Sequence, residues 1–252
     1  MLPTRGVAAH RGASVTHPEN TIPAIEEAVR LGAHQIEIDV RLTSDNRLVL
    51  LHDATLDRTT DVATVFPDRE NRNVEAYKFE EVRRLDAGSW KAQEFAGLPV
   101  PTLEEALDVI PRDCWVNLDV KGERELGAAV AREVLRLGRE RECFLSLRGE
   151  AREGALEVAQ GRLLLNNMER QSTATEYVDR TIDGRFDFIQ FFRDPFPSAE
   201  DIERLKGAGV RINYCCTNDP GQLRDWFDAG IEFPLVDDVA AAMDVAREAG
   251  IE

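Results

Sequence analysis

The feature that most constrains the fold of this chain is a regular alternation of short apolar segments with longer amphipathic ones. The pattern runs from the segment at 6–9 to that at 239–249 and predicts eight strands, nearly every one followed by a helix. A strand–helix–strand unit requires parallel pairing, because the helix returns the chain to the same end of the sheet. About 250 residues with eight such units are typical of an α/β fold of the (β/α)₈, or TIM-barrel, class. A doubly wound open sheet is the alternative that the same pattern allows.

Residues 37–53 interrupt the alternation. Two strand-like segments are joined there by a short polar turn around Asp45 and Asn46, which is too short for a parallel crossover and typical of a hairpin. A turn centred there would place Asp39 directly opposite His52. Residues 54–98 are polar and irregular. We interpret them as a small insertion after the second strand and its hairpin, within a single domain that spans residues 1–252.

Charge and hydropathy exclude several classes of function. The chain carries 31 basic and 47 acidic side chains, a net charge of −16, which disfavours binding to nucleic acid or to an anionic membrane surface. The longest uninterrupted apolar run, at 239–243, is far shorter than the roughly 20 residues that a membrane-spanning helix needs. We therefore expect a small-molecule partner and no membrane span, and the sequence predicts no particular oligomeric state.

The cysteines indicate a reducing environment. None of the four has CxxC spacing, and the first residues do not resemble a secretory signal. Cys215 and Cys216 are neighbours on a predicted strand, where consecutive side chains point to opposite faces and would not pair. We expect four reduced thiols and a cytoplasmic protein.

Acidic residues concentrate at the predicted carboxyl ends of barrel strands, where TIM barrels place their active sites. Glu37 and Asp39 lie two residues apart and therefore on one face of a strand, and Asp119 and Lys121 repeat that spacing on the next barrel strand. Three carboxylates on adjacent strand ends suit one hard divalent cation, Mg²⁺ or Ca²⁺, with Mn²⁺ as an alternative. Solvated acids, or an ion pair between Lys121 and Asp119, would give the same pattern.

Two of the four histidines, His10 and His52, come at predicted strand ends. Imidazole titrates near neutral pH, so these two residues suit an acid–base pair. Arg11 follows His10, and its planar guanidinium matches phosphate oxygens. Lys121 stands inside a strand of a lysine-poor chain, which indicates a specific contact with an anion. His17 has no comparable neighbours and is expected to have no catalytic role.

These residues belong to a series of motifs that resembles the glycerophosphodiester phosphodiesterases. In chain order the motifs lie at 10–12, 18–21, 37–40, 52–53, 56–59, 85–90 and 101–105. The resemblance is dense from residue 8 to about 121 and thin afterwards.

The resemblance implies metal-dependent hydrolysis of phosphodiesters, above all of glycerophosphodiesters to glycerol 3-phosphate and an alcohol. By position it makes His10 and His52 the acid–base pair, assigns Arg11, Lys121, Glu19 and Asn20 to substrate and phosphate binding, and makes Glu37, Asp39 and Asp119 the metal ligands. One alternative is a lysophospholipase D or sphingomyelinase D-like intramolecular transferase that stops at a cyclic phosphate. Another is a weakly active module that binds phosphodiesters.

Three departures from the family's pattern bear on the substrate. Asp119 stands where the family usually has Glu, residues 215–218 read Cys-Cys-Thr-Asn where it often has Trp-Thr-Val-Asn, and 236–237 read Val-Asp where it has Thr-Asp. We therefore expect an intact catalytic centre beside an altered pocket for the alcohol.

Overall fold

The computed structural model describes residues 1–192 and 195–251 and contains a closed parallel barrel. Its strands are β1 (Ala8–His10), β2 (Gln35–Leu42), β4 (Trp115–Val120), β5 (Cys143–Leu147), β6 (Leu164–Asn167), β7 (Phe188–Phe192), β8 (Arg211–Cys215) and β9 (Phe233–Val236), with β3 (Leu48–Leu50) paired to β2 from outside the barrel. The barrel strands pair in the order β1–β9–β8–β7–β6–β5–β4–β2, and β1 also pairs with β2. This closure confirms the predicted (β/α)₈ barrel and excludes the open sheet. Residues 193–194 and 252, which fall within the predicted 1–252 domain, lie outside the described residues.

Helices surround the barrel and join its strands. They are α1 (Ile22–Arg30), α2 (Val62–Val65), α3 (Phe79–Val82), α4 (Leu103–Val109), α5 (Arg124–Arg136), α6 (Gly149–Ala159), α7 (Ala174–Asp183), α8 (Ala199–Gly207), α9 (Pro220–Ala229) and α10 (Val239–Glu248). Helix α4 begins with a capping box in which Thr102 and Glu105 exchange side-chain and backbone hydrogen bonds. Within the described ranges, no helix has the length and apolar character that crossing a membrane would require.

The hairpin of β2 and β3 forms as predicted, but its register differs. The backbone N–H of Leu51 donates to the carbonyl of Asp39 at 3.1 Å, so Leu51 rather than His52 lies opposite Asp39. The cause is the loop at 44–46, which has three residues and ends with Asn46 in the left-handed conformation, at φ 61°. The predicted pairing of Asp39 with His52 is therefore wrong by one residue.

Side chains fill the barrel interior in layers, because alternate residues of each strand point inward. On β4 the inward series is Trp115, Asn117 and Asp119. The lowest layer is aromatic and includes stacked rings of Phe144 and Phe188 with centroids 3.7 Å apart. The middle layer consists of buried polar side chains linked by hydrogen bonds: Asn117, Ser146, Asn166 and Gln190. The carboxylates at the carboxyl ends of the strands therefore lie above packed and hydrogen-bonded layers of side chains.

The insertion at 54–98 has a small core of its own. It contains α2, α3 and two turns of 3₁₀ helix, at Val74–Ala76 and Gln93–Phe95. Buried Leu56 and Tyr77 belong to a hydrophobic cluster that also contains Val49 of β3. The insertion is therefore fixed to the hairpin that carries His52.

Candidate active site

The predicted site residues converge at the carboxyl ends of three adjacent strands. His10 is the last residue of β1 and pairs in register with Glu37 of β2. Two residues further along β2, Asp39 pairs in register with Asp119 of β4. His52 follows β3, which extends from the same end of β2. Neighbouring parallel strands therefore bring together residues that are far apart in the sequence.

Glu37, Asp39 and Asp119 form a buried carboxylate cluster. Each can present an oxygen atom within 4.8 Å of the others, and each side chain is almost completely removed from solvent. Burial, reinforced by the charge of Asp39, raises the pKa of Glu37 to about 8. Buried Asp39 Oδ1 accepts no hydrogen bond from the described residues, although Lys121 Nζ lies 3.1 Å away. Closely spaced carboxylate oxygens with an unused lone pair fit a hard divalent cation.

Two cationic side chains border the cluster. Arg11 Nε lies 3.2 Å from Asp39 Oδ2, and Lys121 Nζ lies 3.1 Å from Asp39 Oδ1 and 2.5 Å from Asp119 Oδ2. The Lys121–Asp119 ion pair is thus present, as the sequence allowed. Burial by itself would raise the pKa of Asp39, but the charges of Lys121 and Arg11 outweigh it and lower that pKa below its ordinary value. The two cations keep Asp39 ionised.

Each of the two histidines is hydrogen-bonded to a carboxylate through the same ring nitrogen, Nδ1. His10 Nδ1 lies 2.7 Å from Asp237 Oδ1, and His52 Nδ1 lies 2.7 Å from Asp53 Oδ1. Burial opposes protonation of His10, but the hydrogen bond to Asp237 and the charge of Glu37 prevail, and its pKa is raised. With Nδ1 engaged in both rings, Nε2 is the nitrogen through which either can exchange a proton with a substrate.

Glu19 and Asn20 form hydrogen bonds with other predicted site residues. The amide of buried Asn20 donates to Asp39 Oδ2 at 2.8 Å and accepts from the Asp39 backbone N–H at 3.0 Å. Glu19 accepts hydrogen bonds from Arg11 and from Arg58. Asn20 therefore contacts a predicted metal ligand, Asp39, and Glu19 contacts a predicted phosphate-binding residue, Arg11.

From the sequence, no role was assigned to the residues that hold the histidines. Asp237 directly follows β9, so the rule that placed functional residues at strand ends could have found it. Arg41 lies two residues beyond Asp39 and donates to the His52 carbonyl from Nε at 3.0 Å and Nη2 at 2.7 Å. The two-residue spacing that selected Glu37 and Asp39 also selects Arg41.

The expectation of four free thiols is wrong at two positions. Cys215 and Cys216 are joined by a disulfide, and the peptide bond between them is cis. Strand β8 ends at Cys215, so the alternation of faces on which the expectation depended does not extend to Cys216. Cys114 and Cys143 are free and buried, as expected.

A parallel barrel that gathers acidic side chains and two histidines at the carboxyl ends of its strands has the layout of a TIM-barrel active site. The sequence profile of the "Glycerophosphoryl diester phosphodiesterase family" matches residues 10–160. The chain therefore belongs to this family. The match covers every predicted site residue and ends before Asp237.

Named relatives resemble about half of the chain. A "Glycerophosphodiester phosphodiesterase" of Caldanaerobacter subterraneus is 44% identical over 116 residues, which are 46% of this chain and 44% of that protein. The "Glycerophosphodiester phosphodiesterase 1" of Mus musculus is 37% identical over 129 residues, which are 50% of this chain and 37% of that protein. The chain thus matches less than half the length of each of these relatives.

Solved structures resemble nearly the whole chain. A glycerophosphodiester phosphodiesterase from Agrobacterium tumefaciens has a TM-score of 0.78 and 28% identity, and the alignment covers 94% of this chain and 99% of that one. A phosphodiesterase from Oleispira antarctica, solved with the product sn-glycerol-3-phosphate, has a TM-score of 0.80 and 24% identity, with 96% of each chain covered. The barrel is therefore shared well beyond the segment with strong sequence similarity.

Proposed function

We propose that this protein hydrolyses glycerophosphodiesters to glycerol 3-phosphate and an alcohol, using a divalent cation and the pair His10 and His52. The observation that carries the proposal is the convergence of the carboxylate cluster, two cationic side chains and two carboxylate-bound imidazoles at one barrel mouth. Membership of the family supports the same reaction. The net charge of −16 favours a small diester over a nucleic acid.

Glu37, Asp39 and Asp119 would hold the cation, with Mg²⁺ or Ca²⁺ as the expected ion and Mn²⁺ as an alternative. Their all-oxygen donor set suits hard cations. When bound, the cation supplies positive charge that neutralises phosphoryl oxygens.

The chain's own residues supply binding and proton transfer. Arg11 and Lys121 contact the phosphoryl oxygens, so that a nucleophile can approach the anion. His52 Nε2 takes a proton from a water molecule, whose oxygen bonds to phosphorus and gives glycerol 3-phosphate directly. If the neighbouring glycerol hydroxyl attacks instead, His52 takes its proton, the product is a cyclic phosphate, and a water molecule then opens the ring to glycerol 3-phosphate. His10, whose raised pKa favours the protonated ring, gives its Nε2 proton to the departing alcohol oxygen as the P–O bond breaks.

Single substitutions of the histidines test this assignment. We expect His10→Ala and His52→Ala each to lower kcat by roughly 10²–10⁴-fold, the usual contribution of an acid–base group. His17→Ala is the matched control, because His17 contacts Thr16 and Phe95 instead of the carboxylate cluster. The assay measures glycerol 3-phosphate released from glycerophosphodiesters with Mg²⁺, Ca²⁺ or Mn²⁺ present. Near wild-type turnover in either alanine variant would remove that histidine from the mechanism.

Product analysis separates hydrolysis from the transferase alternative. Phosphorus NMR of the reaction is expected to show a monoester as the final product, whereas a transferase would accumulate the cyclic phosphate.

Removal of divalent ions with EDTA should abolish turnover and their return should restore it. Full turnover in EDTA would contradict the metal-dependent reaction.

A further inference from the structure

Two groups of side chains among the described residues can bring three ligating atoms close to one ion. The first is the carboxylate cluster. The second consists of His10, Cys215 and Cys216, in which a ring nitrogen and the two sulfur atoms all lie within 4.8 Å of one another. We name it the sulfur–imidazole group. Because its donors are sulfur and nitrogen instead of oxygen, it should prefer a different class of ion from the carboxylate cluster.

The ends of neighbouring strands bring these donors together. His10 is the last residue of β1 and Cys215 is the last of β8, and both strands pair with β9. Asp237 follows β9 and contacts both sides of the group. Its Oδ1 lies 2.7 Å from His10 Nδ1, and its Oδ2 accepts a hydrogen bond at 3.2 Å from Asn218, two residues beyond Cys216. The imidazole and the cysteine segment are therefore held in a fixed relation to each other.

The hydrogen bond to Asp237 also prepares His10 to be a ligand. A metal-binding histidine almost always donates its other ring N–H to a carboxylate, a carbonyl or water, which fixes the tautomer and the orientation of the ring. Nδ1 of His10 has such a partner, so Nε2 is the nitrogen that can bind an ion. Both cysteines line a cavity of about 530 Å³, and Cys216 is accessible to solvent. Small reductants and ions can therefore reach the two sulfur atoms.

We propose that reduction of the disulfide between Cys215 and Cys216 converts this group into a Zn²⁺ site made of two thiolates and His10 Nε2, and that Zn²⁺ bound there blocks the reaction. Two sulfurs and one nitrogen are a usual donor set for Zn²⁺, and water can take the fourth tetrahedral position. The two thiolates also balance the charge of the ion. This balance matters because Cys215 is buried, and an unpaired charge there would be costly.

Formation of the site requires a dithiol reductant such as dithiothreitol. It supplies two electrons and two protons, so the S–S bond breaks, Cys215 and Cys216 become thiols, and the reductant closes into its own cyclic disulfide. Zn²⁺ then releases the two thiol protons to water as it bonds to the sulfur atoms. Since these atoms are no longer joined, they can separate to about 3.8 Å, the spacing of two thiolates that each lie about 2.3 Å from a tetrahedral ion.

The inhibitory part of the proposal rests on the proposed function, whereas the binding of the ion does not. In the proposed reaction His10 Nε2 gives a proton to the departing alcohol. A Zn²⁺ ion bonded to Nε2 occupies the lone pair that would carry this proton. The oxidised protein offers no thiolate to the ion, because both sulfur atoms are in the disulfide. The same chain should therefore be inhibited through this site only when it is reduced.

The first experiment detects the ion without turnover. Co²⁺, a spectroscopic substitute for Zn²⁺, is added to protein that has been reduced with dithiothreitol and desalted under nitrogen, with excess Mg²⁺ present to occupy the carboxylate cluster. We expect an intense sulfur-to-cobalt charge-transfer band in the near ultraviolet that saturates at one ion per chain and disappears when Zn²⁺ is added.

Variants and the oxidised protein make this band specific to the group. Oxidised wild type and reduced Cys216→Ser should lack it. His10→Ala should need an at least about tenfold higher Co²⁺ concentration, because a ligand is lost. Reduced Cys114→Ser is the matched control and should keep the band, since Cys114 is a free thiol that precedes β4 at the opposite end of the barrel.

The second experiment measures release of glycerol 3-phosphate with Mg²⁺ present and Zn²⁺ equimolar to the protein. Zn²⁺ should lower the turnover of reduced wild type about a hundredfold, within the range for loss of an acid–base group. Oxidised wild type and reduced Cys216→Ser should keep their basal turnover without Zn²⁺. With Zn²⁺ they should lose much less than reduced wild type, because the ion can then act only through the carboxylate cluster.

The outcomes separate the site from the reaction. Absence of the charge-transfer band in reduced wild type, or its persistence in Cys216→Ser, would overturn the Zn²⁺ site. Equal inhibition of reduced wild type and reduced Cys216→Ser would overturn the block of His10. A band in a protein that turns over no diester would instead contradict the proposed function alone and leave the Zn²⁺ site standing.

Discussion

At the scale of single residues, the two histidines are held by carboxylates that stay ionised. Burial would raise the pKa of Asp237, but the hydrogen bond from His10 and its neighbours lowers it to about 2. Hydrogen bonds from Arg58 lower the pKa of Asp53 to about 2 against a smaller opposing effect of burial. An ionised carboxylate on Nδ1 keeps a proton on that nitrogen and fixes the ring's orientation. Both rings thus expose the same nitrogen to the substrate.

Arg58 connects the two sides of the site. Its guanidinium donates to both oxygens of Glu19 at 2.8 Å and to Asp53 at 2.6 Å, while Glu19 also accepts from Arg11. A chain of ion pairs therefore runs from Arg11 through Glu19, Arg58 and Asp53 to His52. Arg58 belongs to the insertion, so the insertion helps to position His52 and Arg11.

Replacement of Arg58 tests this positioning role. We expect Arg58→Ala to lower kcat about tenfold with a smaller effect on KM, because His52 loses its fixed orientation while substrate contacts remain. Arg58→Lys should recover little, since an ammonium group cannot reproduce the two-sided contacts of a guanidinium. Arg72→Ala is the control, because Arg72 pairs with Asp57 in the same insertion. Equal losses in the Arg58 and Arg72 variants, or melting temperatures that fall in parallel with kcat, would indicate a merely structural role.

At the scale of elements, one aspartate organises the second half of the insertion. The side chain of Asp86 accepts hydrogen bonds from the backbone N–H groups of Gly88, Ser89 and Gly97, at 2.7–3.0 Å. Burial would raise the pKa of Asp86, but these bonds and that from the Ser89 hydroxyl lower it to about 2. The charged carboxylate therefore closes the loop at 86–97.

Asp86→Ala should destabilise the protein by about 2 kcal/mol, the range for loss of several hydrogen bonds to a charged group. Because the pKa of Asp86 is lower in the folded state than its ordinary 3.8, its contribution is present above about pH 4 and is lost as pH falls towards 2. Urea unfolding at pH 7 and at pH 3 measures both effects. Asp68→Ala, an exposed aspartate of the same insertion, should change stability by less than about 0.5 kcal/mol. A difference that stays constant with pH would contradict the role of the charge.

At the scale of the whole molecule, the periodicity of apolar residues predicts those features of the fold that depend on strand geometry alone. Alternation of strands and helices gave the barrel, and two-residue spacing brought Glu37, Asp39 and Asp119 onto one inner surface. The backbone conformation of a single residue cannot be predicted from periodicity. The left-handed conformation of Asn46 shifts the hairpin register by one residue from the predicted register.

Contacts between distant parts of the chain also could not be predicted from the sequence. Asp237 reaches His10 across 227 positions only because β9 closes the barrel against β1. The bond between Cys215 and Cys216 depends on where β8 ends, which propensity does not locate to a single residue. Periodicity predicts which residues lie on the same surface of the barrel, whereas closure of the barrel determines which of them come into contact.

The carboxylate cluster should make stability depend on cations and pH together. The pKa of Glu37 is raised from 4.5 to about 8 by burial and by Asp39, so the folded state retains a proton that the unfolded chain releases. Without cations, the stabilising effect of this proton is lost as pH rises through that window. A divalent cation held by the cluster would take the place of the proton, so the melting-temperature gain on adding Mg²⁺ should be larger at pH 8.5 than at pH 6, reaching several degrees at saturation.

Two amide variants make this measurement specific to the cluster. Glu37→Gln mimics the protonated carboxyl, so it should remove the cation-free decline in stability between pH 6 and pH 8.5 and most of the Mg²⁺ effect. Glu26→Gln changes an exposed acid of α1 by the same atoms and should behave as wild type. The melting temperature, followed by circular dichroism with EDTA or Mg²⁺, does not depend on catalysis. If the Mg²⁺ gain were equal at both pH values, or survived in Glu37→Gln, Glu37 would not be a ligand, because a cation bound through its carboxylate must compete with its proton.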